Sequence, residues 1–195
     1  MSHAPIKRGR LATVLSSLLF AMPMFGMLGA SRAHAAALQE YQVKAVFLFN
    51  FTQFVEWPPA TVANAAEPIF ICILGEDPFG AYLEDAIRNE HVDNRALAVR
   101  RLSTAEDAQA CRILFISRSE AAHVDAILQH VKPSSALTVS DAHGFGERGG
   151  MVGFVTEDNH VRLRINLDAA RAAGLTISSK LLRVADVVAD QGSAR

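Results

Sequence analysis

Apolar positions along this chain fall first into a helical block, then into short unbroken runs, and finally into alternating pairs. From Leu38 to Glu56 the pattern predicts a helix, with no charge between Lys44 and Glu56 and with Phe47, Phe49, Phe51 and Phe54 spread beyond one stripe. A helix apolar nearly all round sits in the middle of a core or is shared with a partner. Trp57-Pro58-Pro59 ends it, because proline disfavours helical geometry in the residue before it. Pro68–Leu74 is a continuous apolar run of strand length, and Arg112–Ser117 carries a second one over residues 113–116, as expected of strands covered on both faces.

Between and after these runs the pattern alternates. Asp77-Pro78 predicts a helix start running to about Asn89, followed by a strand over 96–101 and a short helix over 104–109. Ser117 to Glu120 has capping-box spacing ahead of a helix to about Val131; Pro133 breaks it before a strand over 136–140. Residues 151–156 and 161–166 read as a hairpin closed by Glu157-Asp158-Asn159-His160. Asp168 is expected to cap a short helix ending at Gly174, and 178–190 to form a last amphipathic helix through Leu181, Leu182, Val184, Ala185 and Val188. The whole predicts an α/β fold, a mainly parallel sheet flanked by helices with an antiparallel hairpin near the C-terminus.

The first residues change the picture of where the chain works. Lys7, Arg8 and Arg10 precede an apolar run from Leu11 to Leu28, and Ala33-His34-Ala35 follows with the small-residue spacing of a cleavage site. These are the three parts of a secretory signal, so residues 1–35 are expected to be a cleaved signal peptide and 38–190 one domain. At about 18 residues the run is also long enough to span a bilayer, which leaves an uncleaved anchor as the alternative. The leader holds four basic and no acidic residues. Without it the chain carries 15 Lys+Arg against 20 Asp+Glu, a formal charge of −5. That balance argues against nucleic acid and against an anionic membrane surface as partners.

Candidate chemistry adds little. Gly144-Phe145-Gly146-Glu147-Arg148-Gly149 matches G-x-G-x-x-G, but a β-like segment follows it where a dinucleotide site needs a helix, so a tight turn is expected and no cofactor. No G-x-S-x-G elbow, H-E-x-x-H motif or Cys/His cluster with metal spacing occurs, and Asp141 with His143 reads as loop surface rather than a metal site. No catalytic residue is assigned; a hidden enzyme would need Ser119, His143 and Asp141 to meet. The loops expected at the strand ends supply candidate ligand residues Glu76, Arg118 and Asp141, with Asp77, Ser119 and His143, suited to a small zwitterion if they are more than caps and solvated loops. Cys72 and Cys111 are either a disulfide, as an even count in an exported protein suggests, or two buried thiols.

Five ordered motifs carry a resemblance. They are Tyr41–Phe51 running on to Phe54-Val55-Glu56-Trp57-Pro58; Cys72-Ile-Leu-Gly75 with Asp77-Pro-Phe-Gly80; Cys111–Ser117; Leu137–Asp141 with Gly144-Phe145 and Gly149-Gly150-Met151; and Ile165-Asn166-Leu167 through Ala173-Gly174-Leu175 to Ile177–Leu182. Together they resemble the YfiR-like family over about residues 38–190. The resemblance implies a periplasmic, non-enzymatic repressor that binds the periplasmic region of an inner-membrane diguanylate cyclase, lowers cyclic di-GMP and limits biofilm formation. It also implies a homodimer, release through an outer-membrane lipoprotein or by redox damage, and a Cys72–Cys111 bridge. Phe47, Phe51, Phe54 and Trp57 are the expected dimer or partner surface, and the last helix and the hairpin are candidates for the cyclase-facing patch. Two features depart from the family pattern: a second cysteine pair near the Gly-Gly-Met turn is absent, and Leu163-Arg164-Ile165-Asn166 stands where Phe-Glu-Ile-Asn is common.

Overall fold

Ile69–Leu74 (β2) and Cys111–Ile116 (β5) lie side by side and parallel at the middle of the sheet, and their side chains alternate between two apolar layers. Ile71, Ile73, Ile113 and Phe115 face one layer, while Cys72, Leu74, Leu114 and Ile116 face the other. Successive side chains of a strand point to opposite faces, so a strand covered on both sides must be apolar throughout. The computed structural model describes residues 27–59 and 67–188. The chain divides into two units, Met1–Ala36 and Ala37–Arg195. Most of the expected signal peptide lies outside the described residues.

The elements are α1 (Met27–Phe54), β1 (Val55–Glu56), β2, α2 (Ala81–Ile87), β3 (His91–Val92), β4 (Arg95–Leu102), β5, α3 (Val124–Val131), β6 (Leu137–Ser140), β7 (Val152–Glu157), β8 (His160–Asn166), α4 (Leu167–Ala172), β9 (Thr176–Ile177), α5 (Ser179–Leu182) and β10 (Ala185–Val188), with 3-10 turns at Ala105–Ala110 and Arg118–Glu120. The main sheet has the order β10-β8-β7-β6-β5-β2-β4-β3. All neighbours in it are parallel except β7–β8 and β3–β4, so the expected α/β sheet with a C-terminal antiparallel hairpin is the one observed. The α1 residues Ala45, Leu48 and Phe51, with Leu83 and Ile87 of α2, cover one face. Val124, Ile127 and Val131 of α3 and Ala108 cover the other. Cys72 and Cys111 are joined by a disulfide across β2 and β5, with Cα atoms 5.8 Å apart.

The turns follow local chemistry. Asp158 and Asn159 both take positive φ (48° and 62°), the two-residue hairpin geometry these side chains tolerate best. The same device at Asp93 and Asn94 (51° and 62°) makes the β3–β4 hairpin, which the apolar pattern does not announce. The Gly144–Gly149 segment is a turn leading into β7, with Gly144 and Gly149 at φ 69° and 92°.

Four expectations need correction. The segment 178–190 is one turn of helix, α5, and then a strand, β10, which pairs parallel with β8 at Ala185↔Leu163 through Val188↔Asn166. Its apolar residues suit either period; the open edge of β8 supplies the hydrogen-bond partners that an extended segment needs. Asn166 rather than Asp168 caps α4, its side chain accepting the Ala169 N–H at 2.9 Å while donating to the Gly146 carbonyl at 2.9 Å. Ser117 caps only the 3-10 turn, and α3 begins later, at Val124. α2 starts at Ala81, because Asp77 spends one carboxylate oxygen on the Phe79 and Gly80 N–H groups of the preceding turn.

Candidate functional site

The chain leaves β2 towards β4 on one side and later returns to place β5 on the other. Where the strand order reverses in this way, the loops at the carboxyl ends diverge and leave a crevice. Here the crevice is a cleft of about 360 Å³ lined by Tyr41, Glu76, Asp77, Pro78, Ser117, Arg118 and Ser119. Glu76, Asp77 and Pro78 follow β2; Ser117, Arg118 and Ser119 follow β5; Tyr41 comes from α1. Gly75 lets the two loops touch: its φ is +91°, and a Cβ there would lie 2.5 Å from the Ser119 hydroxyl. That hydroxyl accepts the Glu76 N–H at 3.0 Å.

Beside the cleft lies a buried polar knot. Asp141, just past β6, is 5% exposed, and its Oδ2 accepts the Tyr41 hydroxyl at 2.7 Å and Lys44 Nζ at 2.9 Å. Lys44 is 1% exposed and also meets Glu40 Oε1 at 2.5 Å, one helical turn back. Arg118, with its side chain 65% exposed, holds Asp141 more loosely, 3.4 Å from its carbonyl and 3.6 Å from Oδ2. Burial, and then the hydrogen bond to Asp141, push the Tyr41 phenol well above its ordinary value. A buried carboxylate needs such partners, since desolvation penalises an unpaired charge heavily. Asp141 Oδ1 remains buried with no hydrogen-bond partner.

The structure therefore gathers the three candidate ligand residues at one end of the sheet. Glu76 and Arg118 line the cleft, while Asp141 lies behind it as an anchor for α1. Asp77 is committed: Oδ1 to its own turn and Oδ2 to Arg101, with an N–O distance of 2.6 Å. His143 is exposed whereas Asp141 is buried, and among the described residues His143 makes no hydrogen bond to Asp141 or Ser119, the contacts a nucleophilic site would need. No group of three metal-ligating residues occurs among the described residues, and no described helix is long and apolar enough to cross a membrane.

Lys44 was not among the sequence candidates, though it bore a signal: a lone lysine inside an apolar helix with Glu40 at the i,i+4 position. The aromatic surface needs revision. Phe51 is fully buried, stacked on Phe154 at 6.1 Å, and belongs to the core. Phe47, Phe54 and Trp57 are half-buried against the same cluster, and Arg112 stands 4.8 Å from the centre of the Trp57 ring. Among the described residues, the open large apolar side chains of α1 are instead Leu38, Val43 and Val46, at 37%, 41% and 51% exposure.

A doubly covered, mostly parallel sheet with its cleft at the strand-order reversal defines an α/β module tied by one disulfide. The chain belongs to the YfiR/HmsC-like family, which matches residues 41–186. That family is a regulatory, non-catalytic one of the periplasm, associated with cyclic di-GMP signalling. The disulfide is consistent with an oxidising compartment. No curated protein matches the chain. Among solved structures, a conserved domain protein from Vibrio cholerae O1 biovar El Tor is similar at 12% identity and a TM-score of 0.46, covering 60% of this chain and 54% of that one. The ABC domain in complex with L-Trp from Streptococcus pneumoniae also aligns at 12% identity and a TM-score of 0.46, covering 62% and 55%. The chain spans about half the length of each.

Proposed function

We propose that this protein is exported by its N-terminal signal peptide and binds the periplasmic region of an inner-membrane diguanylate cyclase, holding that enzyme in its inactive state. Cyclic di-GMP and biofilm formation fall as a result. The family match over residues 41–186 carries this reading. The disulfide and the acidic balance of the chain beyond residue 35 support it. Val43 and Val46, exposed on α1, are the partner contacts this reading favours, because isolated apolar side chains there bury area only against another surface. The protein works as a homodimer, and an outer-membrane lipoprotein releases it from the cyclase. Repression extends only as far as its differential affinity for the two states of the cyclase.

The test is a pull-down from native membranes with the tagged protein, paired with cyclic di-GMP measurement in a deletion strain. Capture of a diguanylate cyclase and a rise in cyclic di-GMP are expected. A deletion strain with unchanged cyclic di-GMP would discard the cyclase as the target. Val46→Glu should abolish capture while changing stability by no more than about 0.5 kcal/mol, as is usual for an exposed site. Undiminished capture would remove α1 from the interface.

A further inference from the structure

We propose that the cleft between the β2 and β5 loops binds a small zwitterion, an α-amino acid in chemical class, with Arg118 taking its carboxylate and Glu76 its ammonium. Two opposite charges stand on the two loops that flank this cleft. Glu76 is exposed and has no side-chain ion pair or hydrogen bond among the described residues, and Arg118 reaches Asp141 only at 3.4 and 3.6 Å. The two make no ion pair with each other, so a ligand with both charges would engage them without breaking a strong contact.

The other cleft residues narrow the class. Asp77 is held by Arg101 and by its own turn, so it does not compete for the ammonium. A plain anion would meet Glu76, and a plain cation would meet Arg118, whereas a molecule carrying both signs is opposed by neither. The Tyr41 ring and Pro78 give an apolar wall for a side chain or backbone carbons. The cleft's 360 Å³ is near the lower end of small-molecule sites, which suits a ligand of amino-acid size. At the floor the Ser119 hydroxyl accepts the Glu76 N–H beside Gly75 and ties the two loops to each other. Tyr41 also belongs to α1 and is bonded to Asp141, so an occupant rests against the helix that carries Val43 and Val46.

Binding is measured by isothermal titration calorimetry on the purified protein, with each common α-amino acid offered in turn. At least one should bind. Its carboxylate-free amine and its amine-free acid should each bind at least about 10-fold more weakly, the factor that a loss of about 1.4 kcal/mol gives. Arg118→Gln and Glu76→Gln, both at exposed positions, should each weaken binding by a similar factor, and Arg162→Gln on the hairpin should leave it unchanged. No binding by any amino acid would overturn the proposal, and so would binding that survives both cleft substitutions. The experiment contains no cyclase, so its outcome is independent of the partner reading.

Discussion

Replacing Lys44 with methionine removes one charge from the knot that ties α1 to the end of the sheet, and the structure sets the size of the effect. Methionine keeps an unbranched stem of similar length and a good helix propensity, so packing and helix formation change little. What changes is Asp141. Its side chain is 1% exposed and loses an ammonium at 2.9 Å, keeping the Tyr41 hydroxyl at 2.7 Å and an exposed guanidinium at 3.6 Å. Breaking a buried pair from one side costs about 3–5 kcal/mol. The two remaining partners place this case at the low end, about 3 kcal/mol, which for a domain of this size lowers Tm by about 6–12 °C. Urea unfolding of the oxidised protein at pH 7, by linear extrapolation, measures the loss. Adding Asp141→Asn to Lys44→Met should recover part of it, because the carboxylate is then no longer buried without its cation. The double-mutant cycle should show a coupling of about 2 kcal/mol. A loss under about 1 kcal/mol, or strict additivity of the two substitutions, would refute the view that this pair fastens the helix.

Other perturbations follow the same logic. The Tyr41 phenol ionises less readily folded than unfolded, so its contribution is full below its ordinary pKa of 10.0 and is lost as pH rises beyond it. The stability gap between the wild type and Tyr41→Phe should therefore shrink between pH 10 and 11, by up to about 1.4 kcal/mol per pH unit, and a gap that stays constant there would count against the phenol's role. The oxidised protein, unfolded but unreduced, should show no free thiol. Reduction should cost about 4 kcal/mol from opening a loop between residues 39 apart, and two titratable thiols before reduction would contradict the bridge. Gly75→Ala should destabilise by about 1–2 kcal/mol, since it forces a side chain to φ +91° and against Ser119; an unchanged urea midpoint would show that the loops give way.

Much of this protein was legible one segment at a time. The unbroken apolar runs of β2 and β5 have the length and pattern expected of strands covered twice, because a half-exposed strand alternates. The Asp158-Asn159 pair predicted its hairpin, and Met151–Val155 after the glycine-rich turn predicted a strand where a dinucleotide site needs a helix. In each case the decisive physics lies within a few residues. Family motifs added the Cys72–Cys111 pairing, which spacing alone left open.

Tertiary structure decided what depends on a distant neighbour. Residues 185–188 have apolar positions that serve a helix or a strand, and the free edge of β8 settled them as β10 by offering hydrogen-bond partners. Phe51 looked as available as Phe47 until Phe154 met it from 103 residues away along the chain. Lys44 and Asp141, 97 residues apart, have no local reason to be buried; only the packing of α1 over the end of β6 makes each the condition for burying the other. Backbone preference and apolar period act over a turn or a strand and can be read along the chain. Charge pairing in a low-dielectric interior, and the choice of which strand edge is filled, are properties of the assembled fold.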